Sequence, residues 1–159
     1  AGYCARLLKP TLIFKRGNVE KLVETTKKEG GKILLGGKRD ANFNKGYYYE
    51  PTIFDDIKDN FTIMKEEPFG PIVPILSFKN FDEVMDRAND NDLGLCSYVY
   101  TTDLKKANKA SEILETGCVA VNTPVVAVAE APFGGIKQTG YGREGGSMAI
   151  KDYLRFCQQ

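Results

Sequence analysis

Apolar-leaning residues fall at Val19, Leu22, Val23 and Thr26, an i, i+3, i+4, i+7 series that predicts a helix. Asn18 is its expected N-cap and Gly30-Gly31 its stop, which places the helix at about 18–29. Ahead of it, Leu12-Ile13-Phe14 reads as a short strand between Pro10 and a Lys15-Arg16-Gly17 turn. After it, Lys32-Ile33-Leu34-Leu35 reads as a strand closed by Gly36-Gly37. The polar stretch 38–46 is a predicted loop. Tyr47 to Phe54 is rich in β-formers, and Pro51 within it predicts an edge strand.

The pattern becomes regular from Met64 onward. Glu66 and Glu67 precede a Pro68-Phe69-Gly70-Pro71 turn, and an apolar run follows from Ile72 to Phe78. The two prolines fix the backbone on either side of Phe69 and Gly70. Acid, turn and buried strand in succession deliver a polar side chain to the edge of a core; an exposed acidic corner has the same pattern. Asn80 and Glu83 have capping-box spacing, and Phe81, Val84, Met85 and Ala88 form the apolar stripe of the helix they open. Cys96 to Tyr100 is a second strand. Thr102 or Asp103 caps a further helix with Leu104, Ala107, Ser111 and Leu114 inward, Gly117 ends it, and Cys118 to Val121 is a third strand. Strands and helices alternating over short connections predict parallel pairing with right-handed crossovers. The fold class is therefore α/β, a parallel βαβ sheet with helices on both faces.

Functional groups in such sheets collect beyond the carboxyl ends of the strands. Here that edge includes 122–142. Asn122 to Glu130 is apolar yet reads as loop, as expected of a segment lining a pocket or an interface. In the stretch from Ala131 to Gly146, seven of sixteen residues are Gly or Pro, so it needs backbone freedom more than a regular element. A phosphate cradle is one reading of such a loop, but the spacing matches neither the P-loop nor the dinucleotide fingerprint. Ser147 to Leu154 reads as a short helix and Arg155 to Gln159 as a final strand.

Composition narrows the chemistry. The 159 residues contain no His, which removes Ser-His-Asp triads, Cys-His dyads and His-ligated metals together. Cys4, Cys96, Cys118 and Cys157 form no C-x-x-C, so no metal site is expected. Cys96 and Cys118 lie in apolar runs and read as small core residues, their disulfide state left open. A formal net charge of +1 gives no reason to expect nucleic acid as a partner. No apolar run approaches the roughly 18 residues that span a membrane. The first ten residues carry no signal-peptide pattern, and a reducing, cytoplasmic location is expected.

Two stretches together resemble the aldehyde dehydrogenase superfamily. Glu66-Glu67-Pro68-Phe69-Gly70-Pro71 is similar to its E-E-x-F-G-P motif. Pro132-Phe133-Gly134-Gly135-Ile136-Lys137, with Gly140, Gly142, Arg143 and Glu144, is similar to its P-F-G-G-x-K-x-S-G-x-G-R-E motif. Their order and separation fit, as does Gly30 to Gly37. The resemblance covers roughly 17–157. Gly142 to Gly146, followed by Asp152-Tyr153-Leu154, is closest in flavour to the succinate-semialdehyde branch.

The resemblance implies oxidation of an aldehyde to an acid with NAD or NADP: a Cys thiolate attacks, hydride leaves to the nicotinamide, and a Glu-activated water cleaves the thioester. It implies that Glu67 binds the nicotinamide ribose hydroxyls, that Phe69 packs beside the nicotinamide, that Asn122 starts the substrate loop, and that Phe133 lines the aldehyde tunnel. Core packing is the competing reading of both phenylalanines. In the succinate-semialdehyde branch a Ser of the substrate loop contacts the substrate carboxylate, and the matching position is Ala127. The catalytic Cys normally ends an F-x-N-x-G-Q-x-C motif, of which Gly2-Tyr3-Cys4 is a faint echo, so Cys4 is the candidate nucleophile. The dinucleotide-binding domain, the oxyanion Asn and the general-base Glu have no counterpart here. The expected organisation is a divergent segment (1–17), a truncated catalytic domain (18–154) and an oligomerisation strand (155–159). The chain alone is then expected to bind no cofactor, to be inactive and to form a homo-oligomer, a dimer first. Two alternatives remain: an enzyme completed by another chain, and a non-catalytic oligomerisation or regulatory partner of a full-length relative.

Overall fold

The computed structural model describes residues 13–43 and 45–154, with side chains from Gly17 onward. The chain divides into two compact units, Ala1–Ser77 and Phe78–Gln159, each with its own hydrophobic cluster. In the first unit, helix α1 spans Ile13–Lys28. This corrects the expected strand at 12–14 and turn at 15–17: Leu12 lies outside the described residues, and 13–17 are helical, with Asn18 inside the helix instead of capping it. A helical Gly17 costs about 1 kcal/mol. Burying an apolar side chain returns about 1.5–3 kcal/mol, so the buried face of α1 outweighs the local turn signal. That face is the expected one, with Val19, Leu22, Val23 and Thr26 all buried. Thr26 tolerates the core because its Oγ1 donates to Leu22 O at 2.8 Å.

Strands β1 (Lys32–Leu35), β2 (Thr52–Asp55) and β3 (Ile72–Pro74) form a sheet in the order β1-β2-β3, antiparallel then parallel. Pro51, expected within an edge strand over 47–54, instead lies one residue ahead of the central strand. The first ladder donor on that side is Thr52 N, which reaches Pro71 O at 2.8 Å, so the missing proline N–H is never needed. β3 stops at Pro74, short of Phe78, with one further bond from Ile75 N to Phe54 O (2.9 Å). Thr52 and Phe54 point into the core beside Val19, Leu22, Val23, Ile63 and Ile72.

Tyr49 belongs to the same cluster, and burial, aided by Glu20, Glu24 and Glu50, pushes its phenol up to about 12. An unfolded Tyr ionises near pH 10. Tyr49 therefore contributes stability that is complete below about pH 10 and is lost as pH rises toward 12. Allowing for solvent screening, about 1–2 kcal/mol is at stake. In urea melts between pH 9 and 12, wild type is expected to lose more stability than Tyr49→Phe; parallel curves would contradict this.

In the second unit, α3 (Phe81–Asn89) and α4 (Leu104–Ile113) pack around Met85, Ala110 and Leu114. Asn80 caps α3 as expected, its side chain accepting from Glu83 N at 2.9 Å, but Glu83 Oε2 accepts from Lys79 N instead of returning to Asn80. Asp103, not Thr102, caps α4 through Lys105 N and Lys106 N. The inward face of α4 is Ala107, Ala110 and Leu114; Leu104 and Ser111, expected inward, are exposed. Gly117 does not end α4, which stops three residues earlier at its C-cap Leu114.

Strands β5 (Cys96–Val99) and β6 (Cys118–Val121) pair in parallel around α4, a βαβ unit. Val99 and Val119 face the helical cluster. The two-residue strands β4 (Leu93–Gly94) and β7 (Ile136–Lys137) pair antiparallel and were not legible in the pattern. The expected terminal helix is a 3-10 helix, Ala149–Tyr153. Parallel pairing is thus present twice, as β2–β3 and as β5–β6, and the chain is α/β.

Candidate functional site

The first unit carries a cavity of about 260 Å³ between α1 and the turn that follows helix α2 (Thr62–Lys65). Asn18, Lys21, Leu22 and Thr25 line one side; Thr62, Glu66, Glu67 and Phe69 line the other. Glu67 and Phe69, both singled out from the sequence, therefore share one cavity, and both are exposed, Phe69 at 59%. The turn is tight: Phe69 N reaches Glu67 O (3.1 Å), Gly70 N reaches Pro68 O (2.7 Å) and Ile72 N reaches Gly70 O (2.8 Å). Gly70 lets this turn lie on α1, because a Cβ there would stand 2.4 Å from Val19 Cγ2. The α2 end of the wall is fixed by Glu29, whose carboxylate accepts from both Thr62 N and Thr62 Oγ1. Carboxylates, hydroxyls and one ammonium around an exposed aromatic ring suit a polyhydroxylated ligand that carries a flat ring. Carboxylates accept from hydroxyl pairs, and the ring supplies a stacking face.

The second unit carries the other predicted residues on the loop after β6. Asn122 opens that loop with φ +55°, and its carboxamide is committed to the backbone of Thr101, accepting from its N (3.0 Å) and donating to its O (2.9 Å). It therefore ties the ends of β5 and β6 together. Ala127 is exposed, with Val125 and Val128 beside it also exposed. Phe133 is half-buried, and its backbone exchanges two 2.7 Å bonds with Glu144. Cys4 and the expected strand 155–159 lie outside the described residues.

Two residues of the Gly-rich stretch do structural work that spacing does not reveal. Arg143 Nη1 donates to the carbonyls of Gly135 (2.8 Å), Tyr141 (2.9 Å) and Gly142 (3.0 Å), drawing the loop around one guanidinium. Lys137, at φ +55°, places Nζ on Asn89 O (2.8 Å), Asn91 O (2.9 Å) and Glu115 Oε2 (2.7 Å). A cation there suits the carbonyl-rich end of α3. Both residues are legible in the sequence as motif members, but a motif names no partner.

A family profile described as the aldehyde dehydrogenase family matches residues 14–158. A chloroplastic betaine aldehyde dehydrogenase of Beta vulgaris is 42% identical over 149 residues, 92% of this chain and 30% of that protein. Retinaldehyde dehydrogenase 3 of Rattus norvegicus is 48% identical over 132 residues, 83% of this chain and 25% of that protein. Among solved structures, the NAD+ complex of an aldehyde dehydrogenase from Bacillus cereus superposes with TM-score 0.85 at 41% identity, covering 89% of this chain and 28% of that one. A succinate-semialdehyde dehydrogenase from Burkholderia pseudomallei superposes with TM-score 0.83 at 36% identity, covering 88% and 29%. The chain thus spans about 25–30% of the length of these relatives.

Proposed function

Because the chain belongs to the aldehyde dehydrogenase family, we propose that it carries the nicotinamide-side half of an NAD(P) site together with the loop that shapes the aldehyde entrance. The observation that carries this reading is that Glu67 and Phe69 line one cavity, held in place by a turn packed against α1. The donor set fits the cofactor: Glu67 would accept from the ribose hydroxyls, Phe69 would offer its face to the nicotinamide ring, and Thr25 and Thr62 are neutral partners at the wall. When bound, the nicotinamide supplies hydride acceptance. The residues here would supply orientation and an apolar face to the ring. The chain represents the C-terminal part of the family's catalytic domain in this reading, with Cys4 as its candidate nucleophile.

The test uses nicotinamide mononucleotide, the half of the cofactor that this cavity faces. Calorimetry is expected to show binding to the wild-type chain that is measurable but too weak for the chain alone to retain the cofactor. A hydrogen bond to a charged group contributes about 1.5–3 kcal/mol, so Glu67→Gln is expected to weaken binding roughly tenfold or more. Phe69→Ala is expected to weaken it less. NAD is expected to bind no more tightly than the mononucleotide. Equal affinity of wild type and Glu67→Gln would overturn the assignment, and markedly tighter NAD binding would overturn the half-site reading.

For the substrate we propose small aldehydes, with succinic semialdehyde the first to assay on the strength of the Gly142–Gly146 and Asp152–Leu154 stretches. Ala127 stands where that branch uses a Ser, so a carboxylate-bearing substrate has no hydroxyl partner at that position. Exposed Leu34, Leu35, Val125, Val128, Ile150 and Leu154 favour self-association. Light scattering at micromolar concentration is expected to give a dimer or larger; a monomer would exclude it.

A further inference from the structure

Cys96 and Cys118 are register partners on the parallel strands β5 and β6. Register partners on adjacent strands are about 4.7–4.9 Å apart and project to the same face. The opposite face, carrying Val99 and Val119, packs on the helical cluster, so the thiol face is turned away from α3 and α4. Both thiols are free and half-buried. Cys96 Sγ lies 3.6 Å from Tyr98 Oη, and Cys118 Sγ lies 3.8 Å from Pro132 O, so each thiol has only a weak polar neighbour.

Strand geometry disfavours a direct bond between the two sulfurs. A disulfide holds its Cβ atoms about 3.5–4.5 Å apart, closer than parallel register partners sit unless the strands pull together. A bridging ion needs no such contraction. Metal–thiolate bonds of about 2.3 Å each let one ion join two sulfurs about 4.6 Å apart, a separation that thiols on the same face of adjacent strands reach by side-chain rotation. Among the described residues no three Cys, His, Asp or Glu side chains converge, so the site offers two sulfurs with no carboxylate or imidazole beside them. Two soft ligands with nothing to complete a tetrahedron select a soft ion of low coordination number. We propose that Cys96 and Cys118 form a two-thiolate site for copper(I). Binding forms two Cu–S bonds and releases two thiol protons, leaving a bis-thiolate of charge −1 with no change in oxidation state. The Tyr98 hydroxyl, beside Cys96, then turns to donate to the thiolate.

The test titrates copper(I) anaerobically against bicinchoninate, using the chain with Cys4→Ser and Cys157→Ser so that only this pair can respond. One copper per chain is expected, with a near-ultraviolet thiolate-to-copper band. Cys96→Ser and Cys118→Ser are each expected to abolish the band and to lower affinity beyond the roughly 10–100-fold typical of changes around a metal's ligands. As a check independent of folded variants, copper(I) is expected to protect both cysteines of the unsubstituted pair from N-ethylmaleimide, read by peptide mass. Three results would overturn the proposal: binding retained by either single variant, protection of only one cysteine, or copper-induced dimerisation with half a copper per chain.

Discussion

Gly117→Ala is expected to unseat the Gly-rich loop of the second unit and to lower stability by about 3 kcal/mol or more, near the top of what overpacking costs. Gly117 leads into β6, and its N–H donates to Gly94 O at 3.0 Å. A Cβ at this position would stand 1.7 Å from Gly134 O and 3.0 Å from the Cα of Gly135. Both obstacles are backbone, so no rotamer change relieves them. The segment that would have to retreat is itself pinned, since Gly134 and Gly135 are buried and Gly135 O accepts from Arg143 Nη1. Retreat would therefore carry Phe133 and its pairing with Glu144 along. The expected readouts are a lowered urea midpoint and faster hydrogen exchange at Phe133, Gln138 and Glu144, whose amides all bond within this unit. Gly17→Ala is the control. Its Cβ meets nothing within 4 Å and it sits in α1, so it is expected to stabilise by up to about 1 kcal/mol. A Gly117→Ala chain that melts like wild type, with unchanged exchange over 133–144, would refute the argument.

That clash shows where sequence reading stops. Gly117 reads as a helix terminator because local chemistry is all that a pattern holds; its real constraint is a carbonyl seventeen positions later. Where the constraint is local, the pattern suffices. Asn80 and Asp103 cap their helices through amides two or three residues on, and Lys32–Leu35 and Cys118–Val121 begin and end where their runs do. The phase of α4 differs from its pattern because alanine gives little signal. Ala110 is fully buried, whereas Ser111, expected inward, is exposed. The start of α1 is hidden in the pattern because Lys15-Arg16-Gly17 has a turn composition, and the burial of the next three helical turns overrides it. Glu67 and Phe69 stood out through family resemblance, and the structure adds that they line one cavity. Arg143 and Lys137 were visible as motif members, but what each one holds depends on loop carbonyls that no spacing rule locates.

The other large expected effect is that of Phe54→Ala on the first unit. Phe54 is 0% exposed and is the largest fully buried side chain among the described residues. Truncating a buried Phe costs about 3–5 kcal/mol, combining lost transfer energy with an incompletely collapsed cavity. Collapse is restricted here because Phe54 sits on the central strand, with Ile33 of β1 as its register partner on one side and Pro74 of β3 on the other. Its neighbours include Val19 and Leu22, which line the candidate cofactor cavity, and its carbonyl accepts from Ile75 N just beyond β3. Loosening Phe54 therefore loosens both the α1 wall and the strand that anchors the Glu67–Phe69 turn. The expectation is a large fall in urea midpoint, accompanied by loss of nicotinamide mononucleotide binding even under conditions where the variant is still folded. Val73→Ala, one residue from the same register on β3 but 53% exposed, is expected to cost under about 1 kcal/mol and to leave binding intact. If Phe54→Ala destabilised the chain yet bound the mononucleotide like wild type, the cavity would not depend on the core beneath it. The proposed route from sheet to site would then fail.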